Sequence, residues 1–219
     1  MLHLILASQS PRRRELIRLL NYPFSSMAAN ADEESITHPN PAANVVHTAQ
    51  LKAAIIAAQL PPPQAPTMIV AADTCVTLDG QMLNKPADEA DARRMLTALR
   101  GREHEVHTGV VLLDPASGQT VTAVHTAIVT MRAYSDVEIS AYVATQDPLD
   151  KAGAYAIQHP VFAPVARLDG CYLGVVGLSV CQLLTLLAQF NVPLRADLDA
   201  ATAAHKGFPC PLLADLRAA

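Results

Sequence analysis

Residues 171–194 contain no charged side chain, and a stretch of that length either crosses a bilayer or has to be buried inside a protein core. Gly174, Gly177, Ser179, Gln182, Thr185, Gln189 and Asn191 interrupt it. These interruptions predict a strand over 172–176, a glycine turn and a buried helix over 179–190, not a membrane span. Burying such a segment requires a large core. The chain has 219 residues, of which 51% are apolar and 16% charged, which suffices for one such core and excludes a largely disordered protein. We expect one domain over residues 1–194 and an extension over 195–219 to which the sequence assigns no role.

The remaining segments alternate between helical and extended patterns. An apolar run over 2–7 ends at Ser8-Gln9-Ser10-Pro11, which predicts a strand and then a helix with Ser10 as its cap and Pro11 in its first turn. A second helix begins at Pro41 and stops near Gln59, before three prolines. A buried strand over 68–72 delivers Asp73, and the Asp79-Gly80 pair predicts a hairpin. Its register would place Thr74 opposite Lys85, so Lys85 and Asp73 can share a site only if a bulge or strand end lies nearby. A helix over 87–99 and two long antiparallel strands over 105–113 and 119–131 follow. Ser135 and Glu138 form a capping box for a further helix, and Asp169-Gly170 is expected to pair 161–168 with 171–176. This order indicates an α/β or α+β fold around a mixed sheet, with a weak helix candidate beyond Asn191.

The net charge of −4 provides no positive field for a nucleic-acid backbone. Cys75, Cys171, Cys181 and Cys210 are scattered without zinc-like spacing and read as buried, reduced thiols of a cytoplasmic protein. The amino-terminal run is too short for an export signal and leads into Arg12-Arg13-Arg14.

Several polar residues fit these elements poorly as mere scaffold. Ser8, Ser10, Arg12 and Arg13 surround the first turn of a helix, where exposed amides favour an anion. The three arginines point about 100° apart, so Arg14 is the expected bystander. Lys52 lies on the apolar stripe of Val45, Ala49 and Ile56, where a lysine either snorkels outward or meets an anion. Asp73 closes an apolar strand, at the edge of a core that can tune a base or a metal ligand. With Glu33 and Lys85, these residues supply what phosphoryl chemistry needs: carboxylates for a hard cation and water, lysines for a polyphosphate. The chain has no Walker-type phosphate loop, and His104 and His107, on opposite faces of a strand, read as structural or surface histidines.

The ordered segments Leu6-Ala7-Ser8-Gln9-Ser10-Pro11-Arg12-Arg13, Asp32-Glu33, Ala72-Asp73-Thr74, Lys85-Pro86, Thr108-Gly109-Val110 and Asp147-Pro148-Leu149-Asp150-Lys151-Ala152-Gly153-Ala154-Tyr155 resemble the Maf family of nucleotide pyrophosphatases. The resemblance implies an elongated α/β fold with a central cleft, related to inosine triphosphate pyrophosphatases. It further implies hydrolysis of a nucleoside triphosphate between its α- and β-phosphates with Mg²⁺ or Mn²⁺. On that reading Asp73 is the proton acceptor and Glu33 and Asp73 hold the metal, while Ser8, Arg13, Lys52 and Lys85 contact phosphates. Arg12, Thr74 and Gln158 match positions tied to dTTP and UTP selectivity. A 7-methyl-GTP branch, a preference for modified purines and a non-enzymatic division regulator are the alternatives. The family also suggests a homodimer. The match is poorest from His159 to Pro164, where expected glycines are missing.

Overall fold

The opening apolar run forms strand β1 (His3–Leu6). The computed structural model describes residues 1–31, 38–61 and 65–218. The Ser10 hydroxyl accepts the Arg13 amide at 3.4 Å and Pro11 takes the first position of helix α1 (Pro11–Ile17). A single tight turn (Arg18–Leu20) then leads into β2 (Phe24–Ser26), parallel to β1. The Asn40 side chain caps helix α2 (Pro41–Gln59), which returns the chain to β3 (Thr67–Leu78), parallel to β1 on its other side. Asp79 and Gly80, both at positive φ (53° and 76°), fold β4 (Gln81–Leu83) back onto β3.

Helix α3 (Glu89–Leu99) precedes the antiparallel pair β5 (Glu103–Leu113) and β6 (Thr120–Met131). Helix α4 (Asp136–Val143) opens with the expected capping box between Ser135 and Glu138. Two short turns (Asp147–Asp150 and Ala152–Ala154) lead to β7 (Val165–Asp169). Four helices complete the described chain: α5 (Tyr172–Val176), α6 (Val180–Gln189), α7 (Leu198–Ala204) and α8 (Pro211–Ala218). The sheet runs β2-β1-β3-β5-β6-β7 with β4 also on β3, a mixed α/β arrangement as expected.

Strand β3 is covered on both faces, which explains its nearly continuous apolar run. Ile69 and Ala71 face Ala49, Ala53 and Ile56 of α2. Val70, Ala72 and Val76 face the larger core, with Leu16 and Ile17 of α1 and Leu96 and Leu99 of α3. Helix α2 lies directly on β5: a Cβ at Gly109 would come within 2.8 Å of the Val45 backbone.

The uncharged stretch departs from its expected reading in one part. Residues 172–176 form helix α5 instead of a strand, and β7 pairs with β6, not with a following hairpin strand. The reason is the geometry at Gly170, which has φ of 128° and passes so close to β6 that a Cβ would lie 2.8 Å from His125 and 2.9 Å from Ala127. There the chain crosses the sheet, with the Cys171 amide donating to His125 Nε2 at 2.8 Å, and does not reverse along its edge. The rest of the stretch is the buried helix α6. Among the described residues, no helix is long and apolar enough to cross a membrane.

Candidate active site

Two strands share one edge of β3 without meeting. β1 pairs with it from His3↔Thr67 to Leu6↔Val70, and β4 takes up the same edge only at Val76↔Leu83. Residues 71–75 therefore have a strand neighbour on one side alone, β5, in unbroken register through Asp73↔Gly109. The irregularity expected near Asp73 is the end of the β4 ladder at Leu83, which releases Lys85 from pairing, and no bulge occurs in β3 against β5. A cleft of about 1000 Å³ opens at this gap. It lies beyond the carboxyl end of β1, from which the chain passes to β2 on one side and β3 on the other, the switch point where open α/β sheets place their ligands.

Ser8, Arg12, Arg13, Lys52, Asp73, Thr74, Lys85 and Gln158 all line this cleft. Glu33 lies outside the described residues. Gln9, Asn30, Asn84 and Lys151 line it too. Arg14, the expected bystander, is exposed.

At the floor, Lys52 Nζ donates to Asp73 Oδ1 at 2.7 Å, with the two side chains only 6% and 18% exposed. The lysine on the apolar stripe of α2 thus meets an anion, and the anion is Asp73, which lies in the middle of β3 and not at a strand end as expected, because the ladder with β5 continues past it. Cys75, two residues on and on the same face, has its thiol pushed up to about 12 by burial and by the Asp73 charge. It stays protonated at neutral pH and is no nucleophile.

The start of α1 forms a second wall. Ser8 Oγ accepts the Ser10 amide at 3.2 Å and the Arg13 guanidinium at 3.5 Å, and Arg13 Nε donates to the Gly177 carbonyl at 2.8 Å. Thr74 Oγ1 lies 3.1 Å from Thr108 Oγ1, and the Thr108 hydroxyl donates to the Gly174 carbonyl at 2.9 Å. Helix α5 and the turn after it are therefore bonded to the basic helix start and to β5, whose Thr108 in turn meets Thr74 of β3.

Across the cleft, the buried Lys151 ammonium donates to the Asp147 carboxylate at 2.9 Å and to Asp150 at 2.6 Å, and Arg12 reaches Asp150 at 3.5 Å. Burial alone would raise the Asp150 carboxyl, but the hydrogen bond and charge of Lys151, helped by Arg12, outweigh it and hold the group below its usual range. Asp147 is lowered in the same way, with burial opposed by bonds from Lys151 and Tyr142. The Tyr142 hydroxyl also accepts the Ala156 amide at 3.0 Å. This network fixes the loop that presents Gln158, an exposed side chain, to the cleft.

Both questioned histidines are buried and structural. His104 Nε2 sits 2.7 Å from the Tyr155 hydroxyl, and His107 lies between Thr126 and Thr77. Burial lowers His104 to about 4.

Among the described residues, no group of three or more metal-binding side chains converges in the cleft. Of the two carboxylates that line the cleft among the described residues, Asp150 is bonded to two cations and Asp73 to one, which leaves Asp73 the freer of the two to meet a hard ion. One or two carboxylates joined by substrate phosphates is the usual way Mg²⁺ is held, so these residues fit a cation that arrives with a polyphosphate.

Residues 3–190 match the sequence model of a family described as Maf-like protein. The dTTP/UTP pyrophosphatase of Salinibacter ruber is 45% identical over 89% of this chain and 94% of its own length. That of Moorella thermoacetica is 45% identical over 86% and 95%, and that of Bacillus cereus 39% identical over 86% and 96%.

Proposed function

The chain belongs to the Maf-like protein family, and on that premise we propose that it hydrolyses dTTP and UTP to the monophosphate and pyrophosphate. The observation that carries the reading to particular residues is the convergence of the Lys52–Asp73 pair with Ser8, Arg13 and Lys85 around one cleft. A triphosphate needs cations along its length and one ionised oxygen beside the attacked phosphorus.

The proposed roles follow from the positions. Arg13, held by the Gly177 carbonyl, and the hydroxyl of Ser8 face the phosphates from the helix start, while Lys85, which lines the same cleft, adds a further cation to them. Lys52 donates to Oδ1 of Asp73 and so fixes the rotation of the carboxylate. Asp73 then accepts a proton from water as the water oxygen bonds to the α-phosphorus. The bond from that phosphorus to the oxygen bridging the β-phosphate breaks, and pyrophosphate leaves. A divalent cation, held by Asp73 and Glu33 with phosphate oxygens, would neutralise charge on the polyphosphate when bound. Arg12, Thr74 and Gln158 contact the nucleoside. The amide of Gln158 offers both a donor and an acceptor to a pyrimidine edge. A cytoplasmic site of action follows from such a substrate.

Pyrophosphate release from a panel of triphosphates, each with Mg²⁺ and with Mn²⁺, tests the proposal. UTP or dTTP should give the highest kcat/KM. A modified purine or 7-methyl-GTP as the best substrate would overturn the specificity, and no release from any triphosphate would overturn the activity.

A further inference from the structure

The four cysteines are not as scattered in space as in sequence. Cys171 precedes α5, Cys181 sits in the first turn of α6, His205 ends α7 and Cys210 precedes α8. Their ligand atoms all lie within 4.8 Å of one another. His205 Nε2 is 3.6 Å from Cys171 Sγ and 3.8 Å from Cys181 Sγ, and Cys181 Sγ is 3.9 Å from Cys210 Sγ. A tetrahedron with Zn–S bonds of about 2.3 Å and a Zn–N bond of about 2.0 Å has S···S edges of about 3.8 Å and S···N edges of about 3.5 Å. The spacing thus suits a central ion. It is far longer than the roughly 2.05 Å of a disulfide, and all four cysteines are free.

We propose that Cys171, Cys181, His205 and Cys210 form a closed Zn²⁺ site that fastens the carboxyl-terminal helices to the family domain. The surroundings are those of a ligand shell. His205 Nδ1 lies 2.7 Å from the Ala201 carbonyl, an arrangement that places the ring proton there and turns the Nε2 lone pair toward the sulfurs. The Ser179 hydroxyl donates to Cys171 Sγ at 3.5 Å. Cys171 and Cys181 are 0% exposed and His205 is 2% exposed, so an occupied site has no room for a substrate. Three thiols and an imidazole select a borderline-soft ion over Mg²⁺ or Mn²⁺, and four protein ligands mark a structural role.

The fastening has a physical purpose. The family match ends at residue 190, so two ligands come from the family domain and two from beyond it. Helices α7 and α8 have seven and eight residues; Ala201 and Leu213 are their fully buried residues, and Leu198, Ala204, Leu212 and Leu216 are only partly covered by the core, a modest anchorage for such short helices. Cys171 also begins the segment whose Gly174 and Gly177 carbonyls hold Thr108 and Arg13, so the ion braces one wall of the cleft.

The test uses the full-length chain, purified through EDTA to strip exposed ions and then assayed by elemental analysis. About one zinc per chain is expected, kept in Asp73→Asn but lost in Cys181→Ser and His205→Ala, both of which should melt at a lower temperature. Replacing zinc with Co²⁺ in the wild type should give the intense red-region absorption and near-ultraviolet charge transfer of tetrahedral thiolate cobalt. That measurement stands even where the variants do not fold. Zinc well below stoichiometry after expression in zinc-supplemented medium, a cobalt spectrum lacking thiolate charge transfer, or a disulfide found by mass would each overturn the site.

Discussion

The cleft and the cysteine–histidine cluster are both built from groups that seek a cation or an anion, yet they are built in opposite ways. Cleft groups are partly wet, drawn from both faces of β3, and already paired with one another, Lys52 with Asp73 and Arg12 with Asp150. Cluster groups are dry, and their contacts with one another are of 3.6–3.9 Å between soft atoms, weak as hydrogen bonds. A site that must exchange its ligand keeps its charges balanced when empty. One that holds an ion permanently has no need to.

The largest expected effect would break the comparison if the two regions proved to be one functional unit. Asp73→Asn keeps the shape of the side chain and removes the base, so kcat should fall by about 10²–10⁴-fold with the far-ultraviolet circular dichroism unchanged. Retained turnover would remove Asp73 from the chemistry. Chelation should separate the regions in the other sense. Brief EDTA treatment is expected to stop pyrophosphate release, with full recovery on adding Mg²⁺ and little change in melting temperature, because a hard ion shared with substrate exchanges freely. Stripping the cluster under mild denaturant should instead lower the melting temperature, and adding Mg²⁺ should not restore it. A single ion whose removal caused both losses together would merge the two sites.

The unequal legibility of the two regions in the sequence has the same origin. Cleft residues come in short runs with local signals: a cap at Ser10-Pro11, a lysine out of place on an apolar stripe, a carboxylate at the end of an apolar run, an Asp-Gly turn. Each fixes one piece of backbone, and the resemblance ordered the pieces. The opening of the cleft was not readable, since it depends on where the ladders of β1 and β4 stop along β3. The cluster left no local signal at all. Its ligands sit in or at the ends of four different helices, and their meeting depends on the chain crossing the sheet after Gly170, where a short apolar run suits strand and helix equally. Because 172–176 was expected to be a strand, nothing in the sequence pointed Cys171 toward Cys181.

Two buried histidines sharpen the contrast at moderate magnitude. His205 has sulfur neighbours and a carbonyl partner, whereas His104 has one hydroxyl partner and a buried Nδ1 without any. Burial lowers His104 to about 4, against about 6.5 in an unfolded chain. The folded state therefore binds fewer protons between these values. Its stability from this group is complete above about pH 6.5 and declines as pH falls toward 4, by about 3 kcal/mol in all. Urea unfolding at a series of pH values should show that slope, and His104→Gln should flatten it. An unchanged slope in the variant would assign the acid sensitivity to other groups.

The smallest effect belongs at the exposed rim, where the cleft differs most from the dry cluster. Gln158 is exposed and bonded to nothing among the described residues, so its replacement by alanine should leave stability within about 0.5 kcal/mol. Its proposed work is discrimination. Losing one amide that pairs with a base edge should cost about tenfold in kcat/KM for UTP, and less for a nucleotide whose edge the amide does not match. The ratio of the two kcat/KM values is thus the quantity to measure, because a general loosening of the loop would lower both alike. An unchanged ratio would move specificity away from Gln158 toward Arg12, anchored to Asp150, and Thr74, anchored to Thr108.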